Sequence, residues 1–406
     1  MTEKVDLTRK LGLPLVTFYG LGTILGAGIY VLVGQVAAIA GFYAPLAFIT
    51  AAIISSFTAL SYARLVSIYP KCAGEAIYVW KAFNNKSLSV LIGWLIIITG
   101  TVSSATIAKG FVGYLGVFIQ IPAWLAITLL TCSLGILAIW GIVQSMWISA
   151  VMTIIEIGGL LLVIFIAGDV LFEPPLPINA YFVPDSFSSV FGVIAGAFLA
   201  FFAFIGFEDM VNVVEETKNS RFNLPAAIFL SIFISSTLYI LIAMIAVSTL
   251  SIQQLTATEA PLTLILEGSG HLSRNVITLI SIFAIVNGAL IQIIKCSRVL
   301  YGMARENMAP TIFSNVSIKT KTPVQATLVI STIVLTFALC LPLITLAKLT
   351  SFVVLIVFLM VNVSLWRIKI TKKSDYEAGM KTINFPKVGA SLCLFLLLFQ
   401  IYELLS

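Results

Sequence analysis

Four glycines, Gly20, Gly22, Gly26 and Gly28, crowd into one apolar run from about Pro14 to Ala40, with Thr23, Ile24, Ala27, Ile29 and Tyr30 among them. In lipid a helix leaves its hydrogen-bond ladder only where protein or a cavity satisfies the freed amides and carbonyls. The cluster therefore reads either as a broken spanning helix or as a tight helix crossing, because small residues on one face also let backbones approach. A break would expose two kinds of group. Amides of a half-helix starting near Ala27, Gly28 and Ile29 present a positive dipole end to an anion. Carbonyls freed around Thr23 and Ile24 suit a cation. A second run, Phe201-Phe202-Ala203-Phe204-Ile205-Gly206-Phe207-Glu208-Asp209, repeats the pattern with a glycine and two carboxylates, and its carbonyls around Phe202, Ala203 and Ile205 would serve the same cation. A small zwitterion fits this pair of elements with no charged side chain required.

Ionisable residues inside apolar runs are costly, so each is a candidate for chemistry. Glu156 lies about ten residues into its run, near mid-depth. It could cycle protons, bind a cation, or stay protonated as a hydrogen-bond donor between helices. Glu208 either caps the half-helix beyond the second break or contacts the bound solute. Lys109 falls about 15 Å nearer the other face than Glu156, which argues against a salt bridge and for a side chain that snorkels to the surface. His271 sits in a polar stretch and reads as a solvated loop residue.

Those residues need elements to hold them, and the composition says which. The 406 residues are 60% hydrophobic and 10% charged, with a mean hydropathy of +1.10. Soluble domains are about a quarter charged, so this is an all-α polytopic membrane protein. Apolar runs long enough to span have cores near 14–40, 45–68, 88–119, 123–142, 147–171, 190–214, 226–250, 276–300, 324–343, 349–366 and 388–405, about eleven transmembrane helices. Residues 1–10 are charged and the apolar run after them is too long for a signal peptide, so the first span is expected to stay in the mature chain. With the amino terminus in the cytoplasm, every Lys and Arg except Arg274, Lys348 and Lys109 falls in cytoplasmic segments or adjoining span ends, Lys295 among them. The net charge of +6 thus reflects topology and calls for no nucleic acid. Five scattered cysteines and one histidine give neither a disulfide framework nor a metal cluster. No cofactor and no catalytic constellation is readable.

Spans one and six carry the two interruptions and are an odd number apart, so the second set of five enters the membrane from the opposite side. Interrupted helices at matching positions of two inverted halves point to a midplane transport site. The second interruption favours the broken-helix reading of the first.

Four segments, Gly22-Thr23-Ile24-Leu25-Gly26-Ala27-Gly28-Ile29-Tyr30, Pro70 to Tyr78, Phe204 to Glu208 continuing to Glu215-Glu216-Thr217-Lys218-Asn219, and Ser297 to Glu306, stand in order along the chain. Together, over about 11–324, they resemble the amino acid-polyamine-organocation permeases. The resemblance implies a core of 5+5 inverted repeats with broken helices 1 and 6, repeat one about 11–171 and repeat two about 188–366, so that 1–366 form the ten-helix core and 367–406 a cytoplasmic loop and eleventh helix. It implies a secondary active transporter of amino acids in the cell (plasma) membrane, working by alternating access, with a polyamine or amine exchanger, or a non-transporting sensor, as alternatives. It places the substrate at Thr23, Ile24, Gly26, Ala27, Gly28, Ile29, Phe202, Ala203, Ile205, Gly206 and Glu208, with Phe202 as an aromatic lid; an ordinary core phenylalanine is the competing reading. Two features depart from the family pattern. Members commonly have twelve spans, and proton-coupled members often carry a lysine where this chain has Glu156. A carboxylate cannot imitate a fixed cation, so Glu156 is expected to couple transport in its own way, to a proton or to sodium. Arg298, Arg305 and Glu306 are candidates to pair with Glu215 or Glu216 as a cytoplasmic gate. Residues 75–83 read as a short interfacial helix.

Overall fold

The computed structural model describes residues 11–26, 28–70, 74–140, 145–317, 320, 322–371 and 384–405. Every strongly apolar run in them is helical, as lipid demands of a backbone with no water to bond. The first span is two half-helices, α1 (Leu13–Leu25) and α2 (Gly28–Ala40), and a 3-10 turn leads from α2 into α3 (Ala44–Ile68). A short helix α4 (Gly74–Phe83) precedes α5 (Lys86–Leu115), α6 (Ala123–Trp140), α7 (Ser145–Ala167) and the four-residue α8 (Asn179–Phe182). The sixth span starts as α9 (Phe187–Ala200), tightens to 3-10 over Phe201–Phe204, breaks at Ile205 and Gly206, and resumes as a 3-10 segment over Phe207–Glu216. Then come α10 (Ser220–Thr249), the short α11 (Ile252–Ala257) and α12 (Pro261–Ile265), α13 (His271–Arg305), α14 (Val324–Cys340), α15 (Leu343–Thr371) and α16 (Phe385–Leu405).

Among the described residues nine helical stretches are long and apolar enough to cross a membrane. One of them, Gly28–Ile68, contains half of span one and all of span two, and the shorter apolar helices Leu13–Leu25 and Val324–Cys340 complete the set expected from hydropathy. Around the circumference large apolar side chains face outward, Phe165 at 86% and Phe233 at 71% exposure among them. Inside, helix contacts are made with small and hydroxylated residues whose hydroxyls bond carbonyls of their own helix four residues back, as Thr101, Thr106, Ser281 and Thr350 do.

The centre is built by α1, α5, α10 and α13, with α13 lying along α5 and α10 along both α1 and α3. The eleventh helix is fastened on the outside. Asn362 of α15 accepts from Ser61 Oγ of α3 at 2.6 Å and donates to Thr58 Oγ1 at 3.0 Å, and α16 approaches closely because a Cβ at Gly389 would fall 2.5 Å from the Asn362 oxygen. At the other end of the same pair Lys348 donates to Glu403 at 2.8 Å, which sets α15 and α16 antiparallel.

Two expectations need correction. The stretch 251–275 is not a solvated polar loop. It folds into α11, α12 and the first turn of α13, buries Leu255, Leu262 and Leu266 completely, and packs on α2, where a side chain at Gly34 would meet the Leu255 carbonyl oxygen at 2.7 Å. Its leucines cap the bundle. His271 itself is exposed, as expected. The second correction is α13, which runs to Arg305 and so carries Lys295 well inside the bundle instead of at a cytoplasmic end.

Candidate functional site

The two interruptions face each other, and glycines explain how closely. Helix α1 ends at Leu25 and Gly26, and α2 starts at Gly28; Ala27 lies outside the described residues. A Cβ at Gly28 would overlap the Ala203 backbone, so only glycine lets the two breaks touch main chain to main chain. Gly206 has φ +131, a conformation open to glycine and strained for other residues, and a Cβ there would run into the Thr23 carbonyl and stand 3.0 Å from Ile24 N. Gly26 meets Gly288 of α13 in the same manner, at 3.1 Å from a built Cβ to Gly288 Cα. The glycine cluster thus serves both of the readings open to it: the helix breaks, and its neighbours come close.

Hydroxyls hold the freed carbonyls. Thr23 Oγ1 shares its proton between Gly20 O at 2.9 Å and Gly206 O at 3.0 Å. Tyr239 of α10 donates to Ile24 O at 2.8 Å and Ala203 O at 3.0 Å, bridging the two interrupted spans with one group. Beside these lies a cavity of about 20 Å³, a water-sized space. Thr23, Ile24, Gly26, Gly28, Phe202 and Ile205 line it, all anticipated from the sequence. Ser103 and Ile107 from α5 and Gly288 and Gln292 from α13 complete the wall.

The remaining anticipated residues sit around the cavity without lining it. Ile29 and Ala203 are buried behind it and Gly206 packs on Thr23. Glu208 is turned back: its Oε2 accepts the Gly206 N–H at 2.7 Å, bonding the amide at the mouth of the following 3-10 segment. Its Oε1 stands 3.6 Å from Lys295 Nζ, and Lys295 also pairs with Asp209. Lys295, assigned above to the cytoplasmic charge belt, is therefore a buried ion-pair partner, its side chain 9% exposed. Gln292 lies beside Asp209 on the same cluster.

Glu156 on α7 is fully buried. Its Oε1 accepts from Asn287 Nδ2 at 3.1 Å and its carbonyl accepts from Tyr30 at 2.7 Å, while Oε2 has no hydrogen-bond partner among the described residues. Asn287 is the neighbour of Gly288, so the carboxyl is one residue away from the contact between α13 and the first break. Lys109 is half-buried on α5 and makes no ion pair with Glu156. Arg305 donates to its own helix's Tyr301 at 3.4 Å; the side chains of Glu215 and Glu216, and residues 71–73 of the second motif, lie outside the described residues.

Helix α4, expected at the interface, is more deeply engaged than an amphipathic surface helix. Trp80 is exposed but Glu75 is buried, receiving the Tyr62 hydroxyl at 3.4 Å. Burial pushes the Glu75 carboxyl up to about 7, against the opposing pull of Lys295. The folded protein then holds a proton on Glu75 that the unfolded chain has lost between the ordinary carboxylate value and about 7. Stability from this group is accordingly present at low pH and falls as pH rises through that window, flattening above it. Glu75→Gln is expected to remove this part of the slope when the melting temperature in detergent is followed from pH 4.5 to 8. An unchanged slope in the variant would show that Glu75 titrates like a solvated acid.

Sequence comparison agrees with this architecture over nearly the whole chain. The model of a family described as amino acid permease matches residues 11–404. The chain is similar to the branched-chain amino acid permease BcaP of Bacillus subtilis, 28% identical over 97% of this chain and 88% of that protein. It is 29% identical to the vacuolar cationic amino acid transporter 2 of Arabidopsis thaliana over 88% of this chain, covering 59% of the longer plant protein. A methylthioribose transporter of Bacillus subtilis is 26% identical over 97% of this chain and 88% of its own length.

Proposed function

The chain belongs to the amino acid permease family, and from that premise we propose a secondary active transporter that carries a neutral α-amino acid across the plasma membrane by alternating access. The cavity between the two breaks is the proposed substrate site. The observation that carries this reading is the wall itself: facing backbone breaks, an aromatic ring from Phe202 and uncharged side chains, with no ionised group on the lining among the described residues. Free amides at the start of α2 would take the carboxylate, and carbonyls of both breaks the ammonium. A water-sized cavity is too small for an amino acid, so binding requires the half-helices to part, and the Tyr239 bridge from Ile24 to Ala203 is the bond they would exchange for the ammonium. Repeats at about 11–171 and 188–366, with the amino terminus cytoplasmic, would let the two halves rock about this point.

Glu156 is the proposed coupling group, with a proton as the coupling ion and sodium as the second reading. Its support is an oxygen without a hydrogen-bond partner among the described residues and a link through Asn287 to the first break. The amine-exchanger reading draws less support, since of the carboxylates it would use, Glu156, Glu208 and Asp209, the last two are engaged by Lys295.

Uptake of labelled amino acids into proteoliposomes, with and without an inward proton gradient, tests the reading. Neutral amino acids should accumulate with the gradient, while amino acid esters, lacking the carboxylate, should fail to compete. Competition by esters or plain diamines as strong as by the amino acid would sink it.

A further inference from the structure

The two breaks would hold the main-chain ends of a bound amino acid, which leaves its side chain to face the rest of the cavity wall, supplied by Ser103 and Ile107 of α5 and Gly288 and Gln292 of α13. Ser103 and Gln292 are polar, and each carries a group that the protein leaves unpaired. The other hydroxyls near Ser103 on α5 are occupied: Thr99, Thr101 and Thr106 bond carbonyls of their own helix, and Ser104 donates to Ala289 O at 3.2 Å. The Ser103 hydroxyl, on a residue only 3% exposed, bonds none of the described residues. On α13, Gln292 Oε1 is buried without a hydrogen-bond partner among the described residues. Asp209 lies beside the Gln292 amide. A carboxylate can only accept, so it takes the N–H side of that amide and settles Oε1 as the end turned away from it. The oxygen faces α5 at Gly100, where a Cβ would stand 3.1 Å from it, and Gly100 precedes Ser103 by one helical turn on the same face.

We infer that Ser103 and Gln292 are specificity-determining residues, which make the site prefer neutral amino acids with a side-chain hydroxyl, threonine and serine, over aliphatic ones of the same size. The inference deepens the proposed function and rests on its reading of the cavity as the substrate site. A substrate hydroxyl can donate to Gln292 Oε1 and accept from Ser103 Oγ, so one group satisfies both. An isopropyl side chain in the same place leaves a buried donor and a buried acceptor unpaired. Sites built this way reject an analogue that lacks the hydroxyl far more strongly than an apolar pocket rejects an added hydroxyl. The threonine methyl group is left to Ile107, one turn beyond Ser103 on α5, and to Ile205. A cavity of about 20 Å³ in this conformation also suits the smallest side chains best.

Threonine and valine have the same shape and differ by the hydroxyl, so they are the probe. Uptake of each, labelled, is measured as kcat/KM in proteoliposomes holding the wild type, Ser103→Ala or Gln292→Met, methionine keeping the length of glutamine without its amide. The wild type is expected to favour threonine over valine by about tenfold or more. Each variant is expected to bring that ratio close to one, with threonine uptake falling and valine uptake rising. Valine carried as well as threonine by the wild type would overturn the inference whether or not the variants fold. So would a threonine-to-valine ratio that stays at the wild-type value in either folded variant, including one that loses both substrates alike, since the residue would then serve the common part of the substrate or the scaffold. A wild type that takes up no amino acid would instead refute the proposed function.

Discussion

Alanine at position 206 is expected to cut amino acid uptake by about 10- to 100-fold while leaving the protein inserted and folded. Two costs combine. A non-glycine residue at φ +131 stores about 1–3 kcal/mol of backbone strain, and each 1.4 kcal/mol is about a tenfold effect on an equilibrium or a rate. The new methyl group would also press on the Thr23 carbonyl and lie 3.0 Å from Ile24 N, prising apart the two breaks that Tyr239 joins. The expected relief is a shift of Gly206, and with it the amide that Glu208 holds. Gly302→Ala is the matched control, because a Cβ there meets nothing within 4 Å and helix interiors favour alanine. Equal uptake by Gly206→Ala and Gly302→Ala would remove the sixth-span break from the transport mechanism.

Glu156→Gln should separate transport from its driving force. In the folded protein this carboxyl sits fully buried with a single amide donor and, among the described residues, no salt-bridge partner. Protonation removes a negative charge that nothing compensates, and so favours conformations in which the region is dry. Uptake by the wild type is therefore expected to rise as external pH falls. Glutamine keeps the oxygen that accepts from Asn287 and mimics the neutral form, so substrate exchange should persist while the pH dependence of uptake disappears. Glu156→Lys would replace the carboxylate by an ammonium, and is expected to transport only if the space next to Asn287 accepts a cation. Should sodium set the wild-type rate instead, the glutamine variant would lose sodium stimulation and not pH dependence. Retention by Glu156→Gln of the full wild-type response to both ions would show that the residue is structural.

That the chain is a set of membrane-length helices was legible in its residues because lipid leaves few options. Twenty apolar residues in lipid must be helical, and a run such as Gly20 to Tyr30 or Phe201 to Asp209 announces its own interruption through glycines that no uniform helix needs. Thr23, Ile24, Gly26, Gly28, Phe202 and Ile205 were found for that reason: the property that marks them is local. Glu156 was equally visible, as a carboxylate alone in an apolar run. What tertiary structure alone decided is which distant groups come to meet them. Tyr239 lies more than thirty residues from the sixth-span break, and no periodicity in α10 distinguishes it from a core tyrosine; its role comes from α10 packing along α1. Ser103 and Gln292 are uncharged polar residues in long apolar helices, a weak signal that becomes meaningful once α5 and α13 are seen to flank the breaks. Lys295 shows the limit most clearly. Hydropathy ends a span where charge begins, so a lysine ten residues before Arg305 was assigned to the cytoplasmic border. The fold keeps α13 going and buries that lysine, because Asp209 and Glu208, carried in by the broken sixth span, supply the opposite charge that makes burial affordable.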